Sequence, residues 1–369
     1  MNYRRTMAAV AHSLTARCLR TAVIALAVTA SLPHAARSQE TSPDSAPGTH
    51  REVIFNDYGQ LARSDELMRR FLTPLSFEQV MQRAAGAGLA MNQQAIDLSK
   101  ERFLVYVPSG PRPSKGYALM VFVSPKDNAS VPYGWTRILD KYGMIFVTAA
   151  NSGNGTDILQ RRNPLAVLGA YNIMQHYPVD AARVYIGGMS GGSRVAMRIA
   201  LSYPDLFHGV FLDCGSDPIG DIEAPLPSAE LFREFQQSTR LVYFTGQNDG
   251  INLTSDEGSR QSMRQWCAYG IYDEMMPYVG HEWASQSEFE HALHALDTHA
   301  PADPQKLASC RARLDAELNL KLSDVENLIE TAKFGAALAR LKIVDARFGG
   351  LAAPRSVELA RQIASHTQH

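Results

Sequence analysis

The chain has 369 residues, 45% of them hydrophobic and 20% charged, with a formal net charge of −1. That length and composition suit one large α/β domain or two smaller ones, each able to bury a core. The balanced charge leaves no basic field through which nucleic acid or an anionic surface would be held, so no nucleic-acid partner is expected.

Residues 1–38 read as an export signal. Arg4, Arg5, Arg17 and Arg20 are basic, Thr21 to Leu32 is apolar, and Ala36-Arg37-Ser38 offers small residues before a cut. The apolar run is short for a membrane span, so the expectation is a periplasmic or secreted protein with no stable membrane association after cleavage. Residues 39–50 are rich in Ser, Pro and Thr and read as a disordered lead-in. Residues 51–100 read as an N-terminal helical segment, with Ser64 capping a helix to Phe71 and Ser76 with Gln79 opening a second one to Ala85.

From Glu101 strands and helices alternate. Strands are expected at Phe103–Val107, Tyr117–Val123, Met144–Thr148, Val184–Gly187, Val210–Leu212, Leu241–Thr245 and Met275–Val279. Helices are expected at Asp157–His176, from the Ser190 turn to Tyr203, at Asp256–Tyr269 and at Glu288–Leu296. The pattern predicts a mostly parallel sheet with helices on both faces over residues 101–300. Beyond a Pro-rich linker, residues 301–369 read as a C-terminal helical appendage, a hairpin with an amphipathic stripe at Leu314, Leu318, Leu322, Val325 and Ile329.

The chemistry centres on Gly188-Met189-Ser190-Gly191-Gly192, between the strand Val184–Gly187 and an amphipathic helix. This is the nucleophile-elbow pattern Gly-x-Ser-x-Gly. A serine at so sharp a turn is strained, and side chains two residues before and after it would collide, which accounts for both glycines. A serine hydroxyl needs a base, and the base an orienting acid. Of the later histidines, His281 alone follows a glycine at the end of an apolar strand. Asp249 follows a strand and a glycine in the same way, and Asp217 competes for the acid's role from the end of the preceding strand. The order Ser190, Asp249, His281 is the one used on α/β-hydrolase sheets.

An oxyanion hole needs two N–H donors. Gly191 supplies the first. The second is expected from the loop after Val123, where Pro125 has no N–H, so it falls to Lys126, with Ser124 as the alternative. No metal is expected, because His291-x-x-His294 lacks a placed third ligand, and no cofactor motif is present. Cys18 leaves with the signal, and Cys214, Cys267 and Cys310 remain. Cys214 ends a central strand and reads as buried, so a Cys267–Cys310 disulfide is expected to tie the appendage to the rest.

Tyr177-Pro-Val-Asp180-Ala-Ala-Arg183-Val-Tyr-Ile-Gly-Gly-Met-Ser190-Gly-Gly, Thr245-Gly-Gln-Asn-Asp249 and Gly280-His281-Glu282 resemble the bacterial esterase and poly(3-hydroxybutyrate)-depolymerase-like branch of the α/β-hydrolases, which is similar to feruloyl and acetylxylan esterases. The resemblance covers about Glu101 to Leu296. It implies the α/β-hydrolase fold and cleavage of a carboxylic ester, small or at a polymer end, through an acyl-enzyme. The fold also hosts serine peptidases and catalytically silent binding proteins, and both stand as alternatives. Oligomeric state is not legible.

Overall fold

The computed structural model describes residues 46–298 and 302–367. The expected export signal at 1–38 lies outside the described residues. The strands are β1 (Gly48–Val53), β2 (Phe103–Val107), β3 (Tyr117–Val123), β4 (Met144–Ala149), β5 (Val179–Met189), β6 (Gly209–Asp213), β7 (Arg240–Gly246) and β8 (Ile271–Met276). They form one sheet in the order β1-β2-β4-β3-β5-β6-β7-β8. β2 runs antiparallel to both of its neighbours, and β3 to β8 run parallel.

The helices are α1 (Ser64–Phe71), α2 (Pro74–Gly86), α3 (Trp135–Tyr142), α4 (Asn163–His176), α5 (Gly191–Ser202), α6 (Ala229–Ser238), α7 (Gly250–Gln265), α8 (Gln286–Asp297), α9 (Pro304–Glu330), α10 (Phe334–Phe348) and α11 (Arg355–Thr367). The period of two in β3 sorts its side chains between the two sheet faces. Leu119, Val121 and Val123 join one apolar cluster with α4 and α5, while Ala118, Met120 and Phe122 join another with α3 and α8. A strand covered on both faces has no use for polar alternation, which is why β3 reads as a continuous apolar run.

The C-terminal helices share the first of these clusters. Leu314, Leu322, Val325 and Ile329 of α9 and Leu341, Val344 and Phe348 of α10 are buried in it. Phe348 meets Trp266 edge-on at 5.6 Å. The Asp345 carboxylate accepts the Leu75 N–H at the start of α2 at 3.1 Å. The Cys267–Cys310 disulfide is present, with Cα atoms 5.9 Å apart. Among the described residues no helix is long and apolar enough to cross a membrane.

Some expectations shift. Residues 48–50, expected as part of a disordered lead-in, belong to β1 and pair with β2, while 39–45 lie outside the described residues. A polar edge strand is held by backbone hydrogen bonds and shows no apolar run. Thr73 caps α2 through its side chain, with Pro74 at the first position, and Ser76 lies inside the helix. Ser64 is likewise the first helical residue, preceded by Arg63. The last strand runs Ile271–Met276 rather than Met275–Val279. Helices α3 and α6 were not legible. The expected helix Asp157–His176 opens with a π turn at Ile158–Arg162.

Candidate active site

β5 delivers Ser190 to the carboxyl edge of the sheet, and α5 begins at the next residue. Ser190 has φ 57° and ψ −123°, a conformation that a non-glycine residue holds only when its surroundings impose it. The surroundings are visible. A Cβ on Gly188 would stand 2.4 Å from the Gly192 carbonyl, and one on Gly192 would stand 1.9 Å from the Val123 oxygen. The Ser190 N–H is fixed by the Asp213 carbonyl at 2.8 Å.

Two further strand ends bring the partners. Asp249 follows β7 and caps α7, and His281 follows β8. His281 Nε2 lies 2.8 Å from Ser190 Oγ, and its Nδ1 lies 2.6 Å from Asp249 Oδ2. The Asp249 side chain is 8% exposed and that of His281 43%, so the acid is sheltered and the imidazole faces the mouth. Burial pushes the Asp249 carboxyl up, but hydrogen bonds from Asn252 and His281 outweigh it and hold the group below the ordinary carboxylate range. An ionised acceptor there draws the imidazole proton to Nδ1 and leaves the Nε2 lone pair toward the hydroxyl. Such a chain can take a proton from the serine and return it to a leaving group.

Asp217 is elsewhere engaged. It accepts from Arg194 Nε at 2.9 Å and from Arg198 Nη2 at 3.1 Å. His291 Nδ1 lies 3.0 Å from a Glu274 carboxylate oxygen.

Gly191 N–H, at the first turn of α5, has no intrahelical acceptor. The Lys126 N–H donates to Ser124 Oγ at 3.0 Å. The Asn154 amide lies over Gly191, where a Cβ would meet its Oδ1 at 2.4 Å and its Nδ2 at 2.9 Å. Beneath them the buried Arg162 donates to the Ser124 carbonyl at 3.0 Å and reaches the Gly191 carbonyl at 3.5 Å, tying the β3 loop to the elbow. A cavity of about 360 Å³ lies between the loop after β3 and the loop after His281, walled by Lys126, Val131, Pro132, Tyr133 and Trp283.

A sheet with an antiparallel second strand, and with Ser190, Asp249 and His281 following β5, β7 and β8, has a known layout. This strand order is that of the α/β-hydrolase fold.

No protein-family model and no curated protein matches the chain. Among solved structures, an S-formylglutathione hydrolase from Agrobacterium tumefaciens aligns at 17% identity over 54% of this chain and 90% of its own, with a TM-score of 0.40. A poly(3-hydroxybutyrate) depolymerase from Bordetella parapertussis aligns at 16% over 57% and 90%, with a TM-score of 0.40. An acetyl xylan esterase from Aspergillus awamori aligns at 11% over 53% and 94%, with a TM-score of 0.42. Other matched proteins are longer: the chain covers 34% of a Bacteroides ovatus protein provisionally named a dipeptidyl aminopeptidase IV and 59% of a thermostable esterase. The fold rests on the strand order, and the reading of the site rests on its own distances.

Proposed function

We propose that this chain is an exported serine hydrolase that cleaves carboxylic esters through an acyl-serine intermediate. The observation that carries the reading is His281, held between Ser190 Oγ at 2.8 Å and Asp249 Oδ2 at 2.6 Å. In this reading His281 Nε2 removes the Ser190 proton as Oγ attacks the ester carbonyl. The same nitrogen then protonates the departing alkoxide, and the acyl group stays on Oγ. A water deprotonated by His281 attacks the acyl carbon, and the proton returns to Ser190 as the acid leaves. Asp249 remains ionised throughout and stabilises the imidazolium.

Gly191 N–H is one oxyanion donor. Lys126 N–H is the second in the sequence reading; in the resting site it donates to Ser124 Oγ, with the Asn154 amide close beside Gly191. The cavity beside Trp283 would take the part of the ester remote from the scissile bond. Export is supported by the Cys267–Cys310 disulfide, since such bonds persist in oxidising compartments. Residues 101–300 would carry the chemistry, with 51–100 and 301–369 bracing it.

The test is a panel of p-nitrophenyl acyl esters and a peptide anilide offered to the purified protein. Turnover of the esters with little of the anilide supports the reading. Preferential cleavage of the anilide makes the chain a peptidase, and inertness toward both makes it a binding protein.

A further inference from the structure

We propose that Asn252 and Arg194 form a positioning pair that fixes the hydrogen-bonding face met by the triad acid, and through it the tautomer of His281. The inference rests on the serine-hydrolase reading above.

The two ends of an asparagine amide are nearly the same shape, so its partners decide which way it points. Asn252 Oδ1 accepts from Arg194 Nη2 at 3.1 Å. A guanidinium has donors only, so the carbonyl end must face it. The NH2 end is thereby turned to Asp249, where Nδ2 donates to Oδ2 at 2.7 Å. His281 Nδ1 lies 2.6 Å from the same oxygen and 3.1 Å from Nδ2; with its proton on Nδ1 the ring and the amide share Oδ2 as their acceptor. The Asn252 backbone N–H completes the set on Asp249 Oδ1 at 3.4 Å. A flipped amide would set its oxygen against the carboxylate, acceptor against acceptor.

Arg194 is itself fixed. It lies one helical turn behind the nucleophile, and its N–H donates to the Ser190 carbonyl at 3.2 Å. Its Nε is held by Asp217 at 2.9 Å, and Nη2 also meets Ser255 Oγ at 3.1 Å. Gly215 leaves room for the guanidinium, since a Cβ there would stand 2.3 Å from Nη1. The pair therefore spans from the helix of the nucleophile to the helix capped by the acid. Asp217, the competing acid of the sequence reading, acts here at one remove.

The groups facing Asp249 and His281 are Ser190 from the elbow, Asn252 from α7 with Arg194 of α5 behind it and Asp217 of the loop after β6 behind that, and Cys214 from the end of β6. The Cys214 sulfur, an Asp249 oxygen and a His281 nitrogen lie within 4.8 Å of one another. Burial pushes the Cys214 thiol well up, and the carboxyls of Asp213 and Asp256, which act on it from behind, are also raised. Arg194 reaches Asp249 through the Asn252 amide, which donates to the carboxylate.

The test uses Asn252→Asp, which keeps size and the acceptor for Arg194 but replaces the NH2 with an oxygen against Asp249. The added negative charge stabilises the His281 imidazolium. The acidic limb of kcat/KM should move to higher pH and kcat should fall roughly ten- to hundredfold. Arg194→Met should lower kcat in the same direction, Arg194→Lys should restore part of it, and Arg194→Met with Asn252→Leu should be no worse than Asn252→Leu alone. Melting temperatures of all variants separate unfolding from mispositioning. A wild-type pH profile and kcat in folded Asn252→Asp, or additive losses in the double variant, would overturn the inference. Fluorophosphonate labelling of the unmutated protein is run alongside. Labelled wild type with an indifferent Asn252→Asp rejects the pair alone, and unlabelled wild type rejects the hydrolase reading with it.

Discussion

Gly188 and Gly192 face each other across the Ser190 turn, so closely that a Cβ on the first would lie 2.4 Å from the carbonyl of the second. Gly192 is also pressed on the Val123 carbonyl, at 1.9 Å from an added Cβ. Both obstacles are backbone, which cannot rotate away. Gly192→Ala should therefore destabilise the fold by about 3 kcal/mol or more and lower acylation further in whatever remains folded. Urea unfolding with a titration of active sites checks this. An alanine variant of native stability and native active-site count would mean that the elbow is looser than its geometry states.

Asp213 lies beneath the elbow with no exposed surface. Burial pushes its carboxyl up to about 8, against a hydrogen bond from the Ala284 N–H. The unfolded chain releases that proton near the ordinary aspartate value of about 4. Between the two values the folded state holds a proton that the unfolded state has lost. Its contribution is thus fully present below about pH 4 and falls away as pH rises toward 8. Asp213→Asn keeps the shape and cannot ionise. The variant should lose less stability than the wild type between pH 5 and 8 in urea titrations. Equal losses in the two proteins would show that Asp213 is already ionised in the fold.

The Cys267–Cys310 bond closes a loop with a sequence separation of 43. In the chain-entropy account such a loop contributes roughly 3–4 kcal/mol. Cys310→Ser should lower the melting temperature by several degrees while leaving ester turnover at moderate temperature near the wild-type rate, because neither cysteine touches the triad. An unchanged melting temperature would contradict the role given to the bond.

The elbow was legible in the sequence because each of its residues answers a local steric demand, and Asp249 and His281 were legible because each follows a strand end. Strands β2 to β4 were legible because they are buried on both faces and need no polar residues. β8 was misplaced because it is an edge strand and shows Asp273 and Glu274 to its surroundings, while the apolar run Met275–Val279 lies partly in the turn beyond. β1 was missed because Thr49-His50-Arg51-Glu52 is held through its backbone. Asn252 left no signal, since its role is set by Arg194, 58 residues earlier in the chain. The Lys126 N–H could be counted as a donor from sequence, but its turn toward Ser124 Oγ could not.

The central claim is that Ser190 is a nucleophile activated by His281. The direct measurement is the intact mass and peptide map of the protein after reaction with a fluorophosphonate. The account predicts one adduct per chain, on Ser190, no adduct on Ser190→Ala, and much slower labelling of His281→Ala. An adduct on another residue, or equal labelling of wild type and Ser190→Ala, would contradict it.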